Sequence, residues 1–161
     1  MAQNHNILVI CTGNTCRSPM AATLLQKALN SEQEPLNQII VKSAGIAAFP
    51  GEPASDNSVA VLKKVNIDLS QHKSQPVTKA LIENASIILG MTDSHLDALR
   101  YQENLNLPKH VYRFREFMGE PSEGNQIPDP FGKDFDAYQK SFDSMVEAIP
   151  SLITFIKKVC Y

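Results

Sequence analysis

The apolar positions of this chain switch between two rhythms. Short solid runs alternate with stretches in which apolar residues recur every three or four positions. Asn6–Ile10, with ILVI at its centre, predicts a strand buried on both faces. Ser18–Asn30 carries Met20, Ala21, Leu24, Leu25, Ala28 and Leu29 on one stripe and predicts a helix. Pro19 suits its first turn, where a missing N–H is not needed. Ile39–Ser43 predicts a second strand. Asp56 is expected to cap a helix from Asn57 to Val65, with Val59, Leu62 and Val65 inward. Thr78 is expected to cap a helix at Lys79–Asn84. Ser86–Leu89 predicts a third strand, and a fourth helix begins at Thr92 or Asp93. His110–Phe114 predicts the last strand, and a Gly-, Pro- and Ser-rich loop runs from Gly119 to Gly132. The final helix carries Phe135, Tyr138, Phe142, Val146, Ile149 and Ile153 at helical spacing. Pro150 within it predicts a kink or a break, because proline removes a backbone hydrogen bond.

Strands alternating with helices predict an α/β fold of three layers: a four-stranded parallel sheet flanked by helices on both faces. Ligands in such sheets bind at the carboxyl ends of strands, near a switch in strand order. The loop Cys11–Ser18 lies at such an end, as does the region after Ser43.

The length of 161 residues favours one domain, residues 1–161, and no linker or repeat divides it. A net charge of −2 argues against a broad nucleic-acid surface but leaves room for a local basic pocket. Three cysteines are too few for a disulfide scaffold. The N-terminus does not read as a signal peptide, and no run is long enough to span a membrane. The expectation is a cytoplasmic monomer with no membrane partner, no cofactor and no metal.

The chemistry is concentrated in ILVICTGNTCRSPM, Ile7–Met20. A buried strand ends in Cys11, a loop with Gly13 follows, then Arg17, Ser18 and a helix start. Such a loop wraps backbone N–H groups around a small anion, and Gly13 permits a tight or left-handed turn. The helix adds its positive end. Arg17 offers a planar fork for two phosphate oxygens. The same features favour a thiolate at Cys11, to which Ser18 can donate a hydrogen bond. Cys-X5-Arg-Ser therefore sets a nucleophile beneath a phosphate held by its own loop. Cys11 alone would be read as a small core residue. The full string is far rarer by chance, about one in a few hundred for Cys, Arg and Ser at these offsets.

Asp129 sits in Gln126-Ile-Pro-Asp-Pro-Phe131, stiffened by Pro128 and Pro130. A phosphatase needs an acid for the departing atom and then a base for water, and one carboxyl group can do both. Asp-Pro by itself is more often a plain turn; Asp129 is a candidate because a nucleophile is already in place.

These residues resemble the low-molecular-weight protein tyrosine phosphatase family over essentially the whole chain. The anchors are Cys11-Thr-Gly-Asn-Thr-Cys-Arg-Ser-Pro19, Ser43-Ala-Gly45, His72 in Ser-Gln-His-Lys, Met91-Thr-Asp and Asp129-Pro-Phe131. The resemblance implies Cys11 as nucleophile, Arg17 as phosphate clamp and Asp129 as general acid. It implies a phosphate-binding loop of Thr12, Gly13, Asn14, Thr15, Cys16 and Ser18, shaped by hydrogen bonds from Asn14, Ser43 and His72. It also implies a reversible disulfide between Cys11 and Cys16 that protects the nucleophile; the alternative is a buried thiol beneath the loop. The substrate would be a phosphorylated protein and the product inorganic phosphate.

Many tyrosine-specific members carry isoleucine where Thr15 stands. A bacterial subgroup that this chain resembles has threonine there and acts on phosphoarginine in proteins. A hydroxyl on the pocket wall suits a polar guanidinium, whereas an aliphatic group suits a ring. Phe49 and Phe131 are the candidate substrate rim, with Gly132 where many relatives carry a second tyrosine. Phosphoarginine is therefore the first expectation and phosphotyrosine the second. Arsenate reductases of the same architecture need two further mid-sequence cysteines, and Ala80–Leu99 has none. A phosphate-binding module without catalysis is the non-enzyme alternative. A nucleotide P-loop is poor, because no Gly-Lys-Ser/Thr follows the glycine.

Overall fold

A computed structural model describes residues 5–119 and 124–160. Residues 1–4, at the N-terminus read for a leader, and 120–123, inside the Gly119–Gly132 loop, lie outside them. Strands β1 (Asn6–Cys11), β2 (Ile40–Gly45), β3 (Ile87–Gly90) and β4 (His110–Arg113) form one sheet in the order β2-β1-β3-β4. Every pairing is parallel, with Cys11 opposite Gly45 and Ile10 opposite both Ala44 and Gly90. The chain steps from β1 to one side and then returns to the other. The order therefore switches beside the carboxyl end of β1, where a crevice opens and the Cys11–Ser18 loop begins.

β1 alternates its side chains between two cores. Ile7, Val9 and Cys11 join α1 (Arg17–Asn30), α2 (Asp56–Lys63) and α5 (Phe135–Cys160) on one face. Leu8 and Ile10 join α3 (Lys79–Asn84) and α4 (Asp93–Arg100) on the other. Each such fully buried aliphatic side chain contributes about 1.5–3 kcal/mol of transfer free energy. The three layers follow from that alternation.

Four local expectations need correction. Ser55, not Asp56, caps α2, its hydroxyl accepting from the Ser58 amide. The helix therefore ends at Lys63 and leaves Val65 outside and exposed, while Val61 takes the inward place. In α5 it is Met145, not Val146, that packs inward. Helix α5 also runs unbroken through Pro150, so of the kink or break expected there the break does not occur. Pro150 and Val146, whose carbonyl loses its N–H partner, both lie on the solvent side, where water can serve that carbonyl. Ala148, Leu152, Ile153 and Ile156 clamp the two halves against one core.

Candidate active site

The loop after β1 is held from outside by its carbonyls. Ile46 N–H donates to Cys11 O, Ala47 N–H to Thr12 O and Ser55 N–H to Thr15 O, each at 2.9 Å. His72 Nε2 donates to Asn14 O at 2.7 Å, and Ser58 Oγ donates to Cys16 O at 3.2 Å. Five carbonyls are thus turned outward and satisfied. Among the described residues no acceptor takes the amides of Thr12 to Cys16. Cys16 begins α1 without any side-chain cap, so the first amides of the helix are also unspent. A ring of free N–H donors at a helix N-terminus is a cradle for an oxyanion.

The left-handed position in the loop is Asn14, at φ 57°, not Gly13. Asn14 tolerates it because both polar atoms of its side chain and its carbonyl are engaged. Its Nδ2 donates to Ser18 Oγ (2.8 Å) and Ser43 Oγ (2.9 Å), and its Oδ1 accepts from Gln75 N–H (3.0 Å). Since Ser18 Oγ accepts from Asn14, its own proton is free for Cys11 Sγ, 2.9 Å away. That donation supports a sulfur anion. Gly45 is needed at the end of β2: a Cβ there would lie 2.5 Å from Thr12 O.

Arg17 is 4% exposed. Its NH1 donates to Ile127 O at 3.1 Å, and its NH2 stands 3.5 Å from Asp129 Oδ2. The Asp129 loop is pinned in turn: Ile127 N–H donates to Met91 O, Ser141 Oγ donates to Pro128 O, and Asp129 Oδ1 accepts from Phe131 N–H. Cys11, Thr12, Gly13, Thr15, Cys16, Arg17 and Asp129 line one cleft of about 220 Å³. Phe49 and Phe131 line it too, each 73% exposed. Asn14, Ser18, Ser43 and His72 stand behind the loop. Cys16 Sγ is buried and lies 3.4 Å from Tyr138 OH. Burial, with that sulfur contact, pushes the Tyr138 hydroxyl pKa up.

His95 has no place in the sequence reading. It is the third residue of α4 and buried. The Thr92 N–H donates to its Nδ1 at 3.2 Å, so Nε2 carries the proton and donates to Thr12 Oγ1 at 3.0 Å. Arg17 NH2, 3.5 Å from the same Nε2, is then a packed neighbour rather than a partner. Burial first, then the Arg17 charge, lowers the His95 pKa to about 4, against Asp129 acting the other way. The Thr92-x-x-His95 spacing resembles a capping box, the one signal that could have drawn attention to it.

A pKa depressed in the fold makes His95 stabilising where it is neutral in both states. That contribution is whole above about pH 6.5 and is lost as pH falls toward 4. It amounts to about 2 kcal/mol once solvent screening is allowed for. His95→Asn should therefore melt with a shallower dependence on pH between 6.5 and 4 than the wild type. Parallel melting curves would show that His95 does not titrate with unfolding.

A four-stranded parallel sheet that carries a Cys-X5-Arg-Ser cradle at its switch point defines a compact class of cysteine-dependent phosphatases. The chain belongs to one family of that class, the low molecular weight phosphotyrosine protein phosphatases, whose model matches residues 6–160. It is a protein phosphatase of that family. It is 37% identical over 153 residues to a protein-arginine-phosphatase of Bacillus subtilis, covering 95% of this chain and 97% of the relative. Among solved structures, the YwlE arginine phosphatase of Geobacillus stearothermophilus superposes with a TM-score of 0.78 at 34% identity, covering 96% and 94% of the two chains. A low molecular weight protein tyrosine phosphatase of T. tengcongensis superposes with 0.82 at 32% identity, covering 94% and 99%. Among the described residues no helix is long and apolar enough to cross a membrane.

Proposed function

We propose that this chain acts in the cytoplasm, as a single monomeric domain, on phosphoarginine in proteins in preference to phosphotyrosine. The observation that carries the chemistry is the set of unspent loop amides around Cys11, closed on the far side by Arg17. Cys11 Sγ attacks phosphorus. The S–P bond forms as the P–N bond of phosphoarginine, or the P–O bond of phosphotyrosine, breaks. The loop amides and Arg17 take the charge of the equatorial oxygens. Arg17 exchanges its contact with Asp129 for phosphoryl oxygens, and Asp129 gives a proton to the departing nitrogen or oxygen. Water then attacks phosphorus and passes a proton to Asp129. The S–P bond breaks, its electron pair returns to Cys11, and inorganic phosphate leaves.

Two points support arginine. Thr15, a hydroxyl-bearing residue, lines the cleft, and relatives over nearly the whole chain are named protein-arginine-phosphatases. An aliphatic side chain at that point leaves a guanidinium N–H without an acceptor, a loss of about 1–3 kcal/mol. Thr15→Ile should lower the ratio of kcat/KM for phosphoarginine over phosphotyrosine peptides by about tenfold or more. An unchanged ratio removes the reason for preferring arginine. Phosphocysteine trapping with either peptide tests the shared chemistry.

A further inference from the structure

One charged group on the cleft wall is used by none of these steps. Glu52 lines the cleft that holds Cys11, its residue is exposed, and it has no ion-pair partner among the described residues. We infer that Glu52 is a specificity-determining residue that selects substrates with a lysine or arginine beside the phosphorylated side chain.

Rigid placement is the first support. Glu52 sits on the loop between Gly45 and Asp56, whose two ends are hydrogen-bonded to carbonyls of the phosphate loop, at Cys11, Thr12 and Thr15. Its middle is tied to Ser74. The Glu52 N–H donates to Ser74 Oγ at 2.9 Å, and the Glu52 carbonyl accepts from the Ser74 N–H at 2.8 Å. Gln75, the next residue, holds Asn14. Both backbone groups of Glu52 are therefore spent on fixing its position relative to Cys11, and only the carboxylate is left to act. Pro50 and Pro53 stiffen the segment on either side.

Charge is the second support. The cleft must admit a phosphoryl dianion. Arg17 is the sole cation among the described residues that line the cleft, and the bound phosphoryl group consumes it. A carboxylate carried on this held backbone beside the cleft then works against the very group the site is built to hold, unless the substrate brings a positive charge with it. Phe49 and Phe131, each 73% exposed, supply apolar faces at the same mouth. They suit the methylene stem of a lysine or arginine and the cation above a ring. An acidic or neutral neighbour would use neither feature.

This inference rests on the reading of the cleft as a site for phosphorylated proteins, and its test separates the two. Matched phosphoarginine and phosphotyrosine peptides are made with Lys, Ala or Glu next to the phosphorylated residue. In the wild type, kcat/KM for the Lys peptide should exceed that for the Glu peptide by about fivefold at low salt, mostly through KM. In Glu52→Gln the ratio should fall below about twofold, and in Glu52→Lys it should invert. Glu103→Gln, which makes the same change in net charge in the loop between α4 and β4, should keep the wild-type ratio. An equal ratio in the wild type and Glu52→Gln, with all peptides turned over, overturns the role of Glu52 alone. No turnover of any phosphopeptide by enzyme that hydrolyses a simple aryl phosphate overturns this inference together with the phosphoprotein reading.

Discussion

Cys11→Ser should abolish turnover, by about 10⁴-fold or more, while inorganic phosphate still binds. The two halves of that result come from different atoms. In the proposed mechanism binding is carried by the amides from Thr12 onward, the helix start and Arg17, none of which the substitution removes. Chemistry is carried by the sulfur, which is smaller in basicity and far stronger as a nucleophile than a serine hydroxyl with no adjacent base. The side chain hydrogen-bonded to Sγ is the Ser18 hydroxyl at 2.9 Å, a donor and not a base, so a serine at this position would react far more slowly than the sulfur. Titration calorimetry with phosphate and an initial-rate assay on one preparation make the measurement. Hydrolysis above background by a clean preparation, with no phosphoserine formed, would rule out a covalent route through Cys11. Lost phosphate binding would mean that the sulfur, rather than the loop, builds the cradle.

The cradle was legible in the sequence because it is local. A buried strand, a Cys-X5-Arg-Ser string and a proline-led helix occupy consecutive positions, and each has a short-range physical cause. The parallel sheet and its layers followed from the alternation of solid and periodic apolar runs, which is also a local property, whereas the strand order β2-β1-β3-β4 did not. What supports the loop is not local. Gln75 and Gly45 touch it from positions far along the chain, and His95 reaches Thr12 across 83 residues. Nothing in the spelling around His95 distinguishes a buried neutral imidazole from a surface one. Its role exists only once β3 is laid beside β1.

The local errors have one shared cause, the use of a residue's general preference where tertiary contacts decide. Glycine prefers left-handed turns, yet Asn14 takes that position because Ser18, Ser43, Gln75 and His72 all need its atoms. Proline disfavours helix interiors, yet α5 continues because its inner face is buried on both sides of Pro150. Val65 reads as an inward helical residue, yet the Ser55 cap shifts the helix start and the helix ends before it. In the first two cases a set of buried contacts outweighs a preference of about 1–3 kcal/mol.

Asp129→Ala should lower kcat by about 10²–10³-fold for poor leaving groups and by less than about tenfold for p-nitrophenyl phosphate. The difference reports the proton. A nitrophenolate departs without help, whereas a guanidine cannot leave as an anion, so phosphoarginine peptides should suffer most. The position of the carboxyl group fits that duty. It stands on a loop fixed by Ile127 and Pro128, its side chain is 53% exposed, and its sole ion-pair partner among the described residues is Arg17, the proposed phosphate clamp. Removing it should leave phosphate affinity unchanged or tighter, because Arg17 loses a competing anion 3.5 Å away. A loss in kcat that was equal across leaving groups would show that Asp129 positions Arg17 instead of donating a proton. A weakened phosphate affinity would point the same way, since an acid is not needed to bind product.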